Sequence, residues 1–296
     1  MKKLFQEFYK DFSYLELEEL INLFSVFGGV NIHGKWDYLS DFETSLVHNF
    51  TKNFKEFETL ISPTYLLESP YSDLLKVIAK GEGKVLSSFR KAKLSSSVGY
   101  RILDELLALN VLRIEYSREA PLLIHPKYKL KKSDRSYQIQ DKMRFSKPFF
   151  RFWFGFILNF QEELLKEEGD DFFKYFITYR ERLSSLVYEQ LSNELLKLTL
   201  KEKIISSGSY WNIKSEFDIL IITQAKKIIL GECKYKERKV CKNELNKLKA
   251  KALTSNIKVD SYALFSKNGF SKELLNLRDK NLLLFELEDF YGLVKH

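Results

Sequence analysis

Apolar residues recur along this chain with two periods, and the change between them divides it. Over the first part the spacing is helical. Leu15, Leu17, Leu20, Ile21, Leu23 and Phe24 share one helical face, which Gly28-Gly29 ends. Phe42 to Phe57 continues as an aromatic-rich helix, so residues 1–67 read as a helical N-terminal layer. Ser69-Pro70 opens a new unit. Leu74, Leu75, Val77 and Ile78 form one helix closed by Lys80-Gly81, and Val85 to Ala92 forms a second. Ser95 caps a third, carrying Val98, Ile102, Leu106, Leu107 and Leu109, and Asn110 ends it. Val111 to Tyr116 then turns to strand, and Tyr128-Lys129-Leu130 and Tyr137-Gln138-Ile139 read as further short strands around the basic stretch Lys127 to Arg135. Phe149 to Phe156 carries aromatics on every side, the pattern of a buried helix that docks two domains. Glu162 to Asp171 is acidic and solvated, and Phe172 to Tyr179 is another aromatic helix. Arg180 to Leu198 is helical, with Leu183, Leu186, Val187, Leu191 and Leu195 inward.

From Lys203 the period shortens to that of strands. Lys203 to Trp211, Ile219 to Ile222 and Ile228 to Leu230 are strands, followed by a basic amphipathic helix over Lys242 to Leu253. Tyr262 to Ser266 and Leu282 to Leu287 are strands flanking a helix over Phe270 to Arg278. The expected class is α/β, or α+β overall. Its segments are the helical layer at 1–67, a unit at 68–145, an aromatic helical connector at 146–179 and an α/β domain with a central mixed sheet at 180–296.

Three helices followed by a strand pair is the order of a winged helix-turn-helix, which places such a unit at 68–145. Its third helix would enter a major groove with its N-terminal residues, so Ser96, Ser97, Tyr100 and Arg101 are candidates for DNA contact. Lys91 and Lys93, in the preceding turn, would meet phosphates. The same unit serves equally well as a protein–protein adaptor.

The stretch with the most chemistry runs from Glu216 to Lys234. Two apolar runs flank Thr223 to Lys227, the pattern of a hairpin. Side chains alternate along a strand, so Glu232 and Lys234 share one face and Cys233 takes the other. Paired antiparallel, the strands bring Asp218 and Glu232 to one end of the sheet, with Lys234 beside them. Two carboxylates there repel each other unless a divalent cation sits between them, and hard cations such as Mg²⁺ take oxygen ligands. An Asp, a hairpin and a Glu-x-Lys ending an apolar strand resemble the core of the PD-(D/E)XK nuclease superfamily. Glu82-Gly83-Lys84 has the same spacing but no apolar strand around it. The wording Glu216-Phe217-Asp218-Ile219-Leu220 followed by Leu230-Gly231-Glu232-Cys233-Lys234-Tyr235-Lys236 is similar to one branch, the nuclease-like C-terminal domain of archaeal-type AAA ATPases. Phe27-Gly28-Gly29-Val30 resembles a turn in the helical lid of that family. Arg151-Phe152-Trp153-Phe154 resembles its segment between winged helix and nuclease-like domain.

The resemblance implies Mg²⁺ or Mn²⁺ held by Asp218, Glu232 and the Cys233 carbonyl, with Lys234 as electrostatic partner. It also implies a carboxylate from the first helix of the domain, for which Glu189 in Leu186-Val187-Tyr188-Glu189-Gln190-Leu191 is the candidate, with Glu216 as an alternative. Lys236, Arg238 and Lys239 would bind flanking phosphates. No P-loop pattern occurs, so no ATP is expected, and the ATPase part of that family is expected to be missing or a remnant.

Composition adds a direction. The net charge of +8 favours an anionic partner, with DNA first. The N-terminus lacks the apolar core of a signal peptide, and no apolar run reaches membrane-span length, so a cytoplasmic protein without a membrane partner is expected. Cys233 and Cys241 then read as reduced thiols. His33, His48, His125 and His296 are scattered without zinc spacing. The readings that stay open are a metal-dependent DNA endonuclease, a DNA-binding protein with a non-catalytic nuclease-like fold, an adaptor for another protein, and a transcription regulator. A homo-oligomer is compatible with each.

Overall fold

The structure, a computed structural model, describes residues 1–32, 34–118, 139–212 and 215–294. They fall into two compact units, one of Met1–Glu115 with Asp141–Val187, the other of the described residues within Tyr116–Gln140 and Tyr188–His296. The class is α/β overall, with a mixed five-stranded sheet and a small antiparallel pair.

The first unit begins with α1 (Lys2–Asp11), α2 (Leu17–Phe27), α3 (Phe42–Lys52) and α4 (Phe54–Glu58). The continuous helix expected over Phe42 to Phe57 is broken at Asn53, which caps one helix while its carbonyl accepts from Glu56 and Phe57 to start the next. Then come α5 (Tyr71–Lys80), α6 (Val85–Lys91) and α7 (Ser96–Ala108), matching the three expected helices closely. Ser95 Oγ accepts from the Val98 amide at 3.3 Å to start α7, and Asn110 ends it at φ +52°. Gly99 lets α7 lie against α6, because a Cβ there would sit 2.5 Å from the Phe89 ring. Leu109, expected on the buried face, is exposed, and Leu103 is buried in its place.

β1 (Leu112–Glu115) pairs antiparallel with β2 (Lys142–Phe145), a strand the sequence reading did not place. The expected wing strands at 128–130 and 137–138 lie outside the described residues, and Ile139 is not in a strand. α8 (Pro148–Gly155) is buried as its pattern predicts, and within this unit it is covered both by the N-terminal layer and by α5 and β2, where Gly155 lies against Ala79 and Phe154 stacks with Phe145. Phe149 stacks with Phe27, Phe152 meets Phe50 edge-on and Trp153 lies by Phe54. α9 (Gln161–Leu164) and α10 (Asp170–Tyr179) follow, and Phe172 and Phe176 of α10 close this aromatic core.

α11 (Glu181–Thr199) supplies residues to both units. In the second unit the expected order is found: β3 (Ile204–Trp211), β4 (Glu216–Thr223), β5 (Ile228–Lys234), α12 (Lys242–Thr254), β6 (Ser261–Ser266), α13 (Lys272–Leu275) and β7 (Leu282–Phe285). The sheet order is β3-β4-β5-β6-β7, antiparallel as far as β5 and parallel from β5 to β7. α13 is shorter than the Phe270 to Arg278 helix expected, and a 3-10 segment over Leu287–Leu293 follows β7. Leu220, Leu230 and Leu264 of the sheet share a core with Leu245, Leu248 and Ala252 of α12. Elsewhere in the unit Tyr188 stacks with Phe290, which meets Phe265 edge-on. Gly231 permits the close β4–β5 approach, since a Cβ there would lie 2.9 Å from Ile219 Cβ. Among the described residues no helix is long and apolar enough to cross a membrane.

Candidate active site

The β4–β5 hairpin pairs Ile222 with Ile228 and Ile219 with Gly231, and one further step in that register sets Asp218 opposite Glu232. Beyond Gly231 the Cys233 amide donates to Asp218 Oδ2 at 2.7 Å. The carboxylate thus holds the two strands together just beyond the Ile219–Gly231 pair. Lys234 Nζ donates to Glu232 Oε1 at 2.6 Å and lies 4.0 Å from Glu244 Oε2. Lys251, from α12, donates to the other Glu232 oxygen, Oε2, at 3.5 Å. Glu244 Oε1 is in turn paired with Lys247 at 2.9 Å.

Asp218 is half-buried by surface, yet enough protein crowds it that loss of hydration is the first cause holding its carboxyl well above the usual range. The negative charges of Glu189 and Glu232 act in the same direction, and the Cys233 amide and Lys234 only partly offset them. Glu189 on α11 is therefore electrostatically close to Asp218. Burial alone would lower Lys234, but Glu232 outweighs it, with help from Asp218 and Glu244, and the ammonium is held above its ordinary value. Burial also pushes the Cys233 thiol well up, as do the charges of Asp218 and Glu189. Cys233 and Cys241 are both free.

Among the described residues no group of three or more His, Cys, Asp or Glu side chains is gathered closely enough to hold a metal ion. Donor chemistry still suits a hard divalent cation: two carboxylates, a strand carbonyl at Cys233 and a third carboxylate nearby. The crowding that raises Asp218 is what such a cation would relieve. Lys234 and Lys251 occupy the Glu232 oxygens, so the residues fit the ion in donor type without forming a ready cage. Sequence reasoning missed Lys251 and Glu244. Their signal is the spacing Glu244, Lys247, Lys251, which puts all three on one helical face.

Lys236, Arg238 and Lys239 are exposed on the loop after β5. Glu216 is exposed at the start of β4. In the first unit Lys91, Lys93, Ser96, Ser97, Tyr100 and Arg101 are all exposed, from the end of α6 through the first turns of α7. Beside them lies an open cleft of about 440 Å³ whose lining includes Glu82, Lys84, Ser87, Arg90 and Lys91.

A family described as archaea bacterial proteins of unknown function, DUF234, matches residues 153–252, which include the β4–β5 hairpin and most of α12. No curated protein matches the chain. Among solved structures the crystal structure of protein VC1899 from Vibrio cholerae matches at 13% identity and a TM-score of 0.28, over 88% of this chain and 56% of that one. The chain thus spans little more than half the length of that protein.

Proposed function

We propose that the chain is a cytoplasmic, metal-dependent DNA endonuclease of the PD-(D/E)XK kind. The observation that carries the reading is the placement of Asp218 opposite Glu232 at the end of the hairpin, with Lys234 on Glu232. Mg²⁺ or Mn²⁺, when bound, supplies a water of lowered pKa and neutralises charge on the attacked phosphate. Asp218 and Glu232 would hold the ion with the Cys233 carbonyl, and Glu189 would add negative charge at the same place. Lys234 stabilises charge that develops on the phosphate oxygens. Lys236, Arg238 and Lys239 track the flanking backbone, and the α6–α7 face is a second DNA contact.

A second reading has its own support. Both Glu232 oxygens are taken by lysines, which favours a carboxylate in a structural salt bridge, and so a protein that binds DNA or a protein partner without cutting. Calorimetry with Mn²⁺ separates the two. On the nuclease reading the parent binds Mn²⁺, Asp218→Ala and Glu232→Ala do not, and Lys234→Ala binds it without cleaving DNA. If both carboxylate variants bind Mn²⁺ as well as the parent does, the site is misassigned. If the parent binds none, the non-catalytic reading stands.

A further inference from the structure

We propose that Lys251 is a transferable cation, neutralising Glu232 while the site is metal-free and moving to a DNA phosphate once a divalent cation takes that carboxylate. This rests on the nuclease reading and adds a positioning residue to it. Lys251 Nζ is 3.5 Å from Glu232 Oε2, and its side chain is 43% exposed against 10% for Glu232. A buried carboxylate is thus met by a lysine that still reaches solvent. Lys234 differs. Its side chain is 25% exposed, and Glu244, 4.0 Å away, remains beside it when Glu232 is occupied. An ammonium and a divalent cation compete for the same oxygens, so displacement of Lys251 accompanies metal binding. Its four-carbon stem then lets the released charge swing outward. α12 anchors that stem through Leu248 and Ala252, which are buried against the sheet on either side of it in sequence.

Lys251→Met should have two opposite effects. Mn²⁺ should bind about two- to fivefold more tightly by calorimetry, the size expected when a part-exposed competing ion pair is removed. Binding of a short DNA duplex, measured with Ca²⁺ in place of Mn²⁺, should weaken, and the slope of log affinity against log salt should fall by about 0.9, one phosphate contact. Lys251→Arg should restore the slope. A residue that only supports the fold would not tighten one ligand while loosening the other. Unchanged or weaker Mn²⁺ binding by Lys251→Met, beside normal binding by the parent, overturns this inference alone, as does an unchanged salt slope. Failure of the parent to bind Mn²⁺ overturns it together with the nuclease reading.

Discussion

Replacing Asp218 by Asn should stabilise the metal-free protein while abolishing metal binding. The environment of Asp218 disfavours its charge: hydration is lost first, and Glu189 and Glu232 repel it next. Asn keeps an oxygen to accept from the Cys233 amide, now at 2.7 Å from Asp218 Oδ2, and drops the charge. A neutral acceptor is weaker than a charged one by about 1 kcal/mol. The raised pKa already includes that hydrogen bond and is raised regardless, so the sign of the net effect is stabilising. Relieving one such functional-site penalty is worth about 0.5–2 kcal/mol, and each kcal/mol moves the melting temperature of a domain of 150–250 residues by roughly 2–4 °C. The pH dependence follows from the same sign. Because the folded pKa lies above the unfolded one, the parent pays nothing for Asp218 below the unfolded value of about 4. Its relative stability then falls as pH rises toward the folded pKa and levels off above it. The gap in melting temperature between Asp218→Asn and the parent, measured with a chelator, should therefore be near zero at about pH 4 and widen as pH rises above it. A variant less stable than the parent at pH 7, or a gap independent of pH, would refute this reasoning.

Other perturbations test other parts of the molecule. Phe152→Ala should cost about 3–5 kcal/mol in chemical denaturation, because the ring is fully buried against Phe50, Phe156, Phe172 and Phe176; a loss under about 1 kcal/mol would contradict the aromatic core. Tyr65 and Tyr71 both donate to Glu105 at 2.5 Å, and the first of these bonds, with burial adding to it, raises the Tyr65 hydroxyl to about 12. In ultraviolet titration Tyr65→Phe should remove a phenol that ionises near pH 12 rather than 10, and the stability from this bond should be lost as pH climbs through that value. Lys93→Ala and Arg101→Ala should each lower the salt slope of DNA binding by about 0.9; slopes equal to the parent's would assign the α6–α7 face to a protein partner.

How much could be read from the chain depended on how local the cause was. The β4–β5 hairpin was legible because two β-branched runs bracket a polar turn, and strand alternation then puts Glu232 and Lys234 on one face. The three helices from Tyr71 to Ala108 were legible for the same reason, with Ser95 and Asn110 marking the ends of the last. β2 was not. Lys142-Met143-Arg144-Phe145 is four residues long with charge at every second position, too short and polar to mark a strand by itself, and Lys142 is nonetheless only 1% exposed. Its Cα partner Glu115 lies on β1, distant in sequence, so the pairing is a tertiary event. The role of α12 was hidden in a similar way. Its composition marks a basic amphipathic helix, but bringing Lys251 to Glu232 takes the crossover from β5 to β6, a tertiary event. The break at Asn53 was missed because the aromatic spacing continues through it, and one capping residue overrode that period.

The measurement closest to the central claim is cleavage of supercoiled plasmid by the purified chain. Nicking should require Mg²⁺ or Mn²⁺, stop on chelation, and be absent in Asp218→Ala and Glu232→Ala. Metal binding by the parent without cleavage of any DNA form, or cleavage that survives loss of both carboxylates, would contradict that claim.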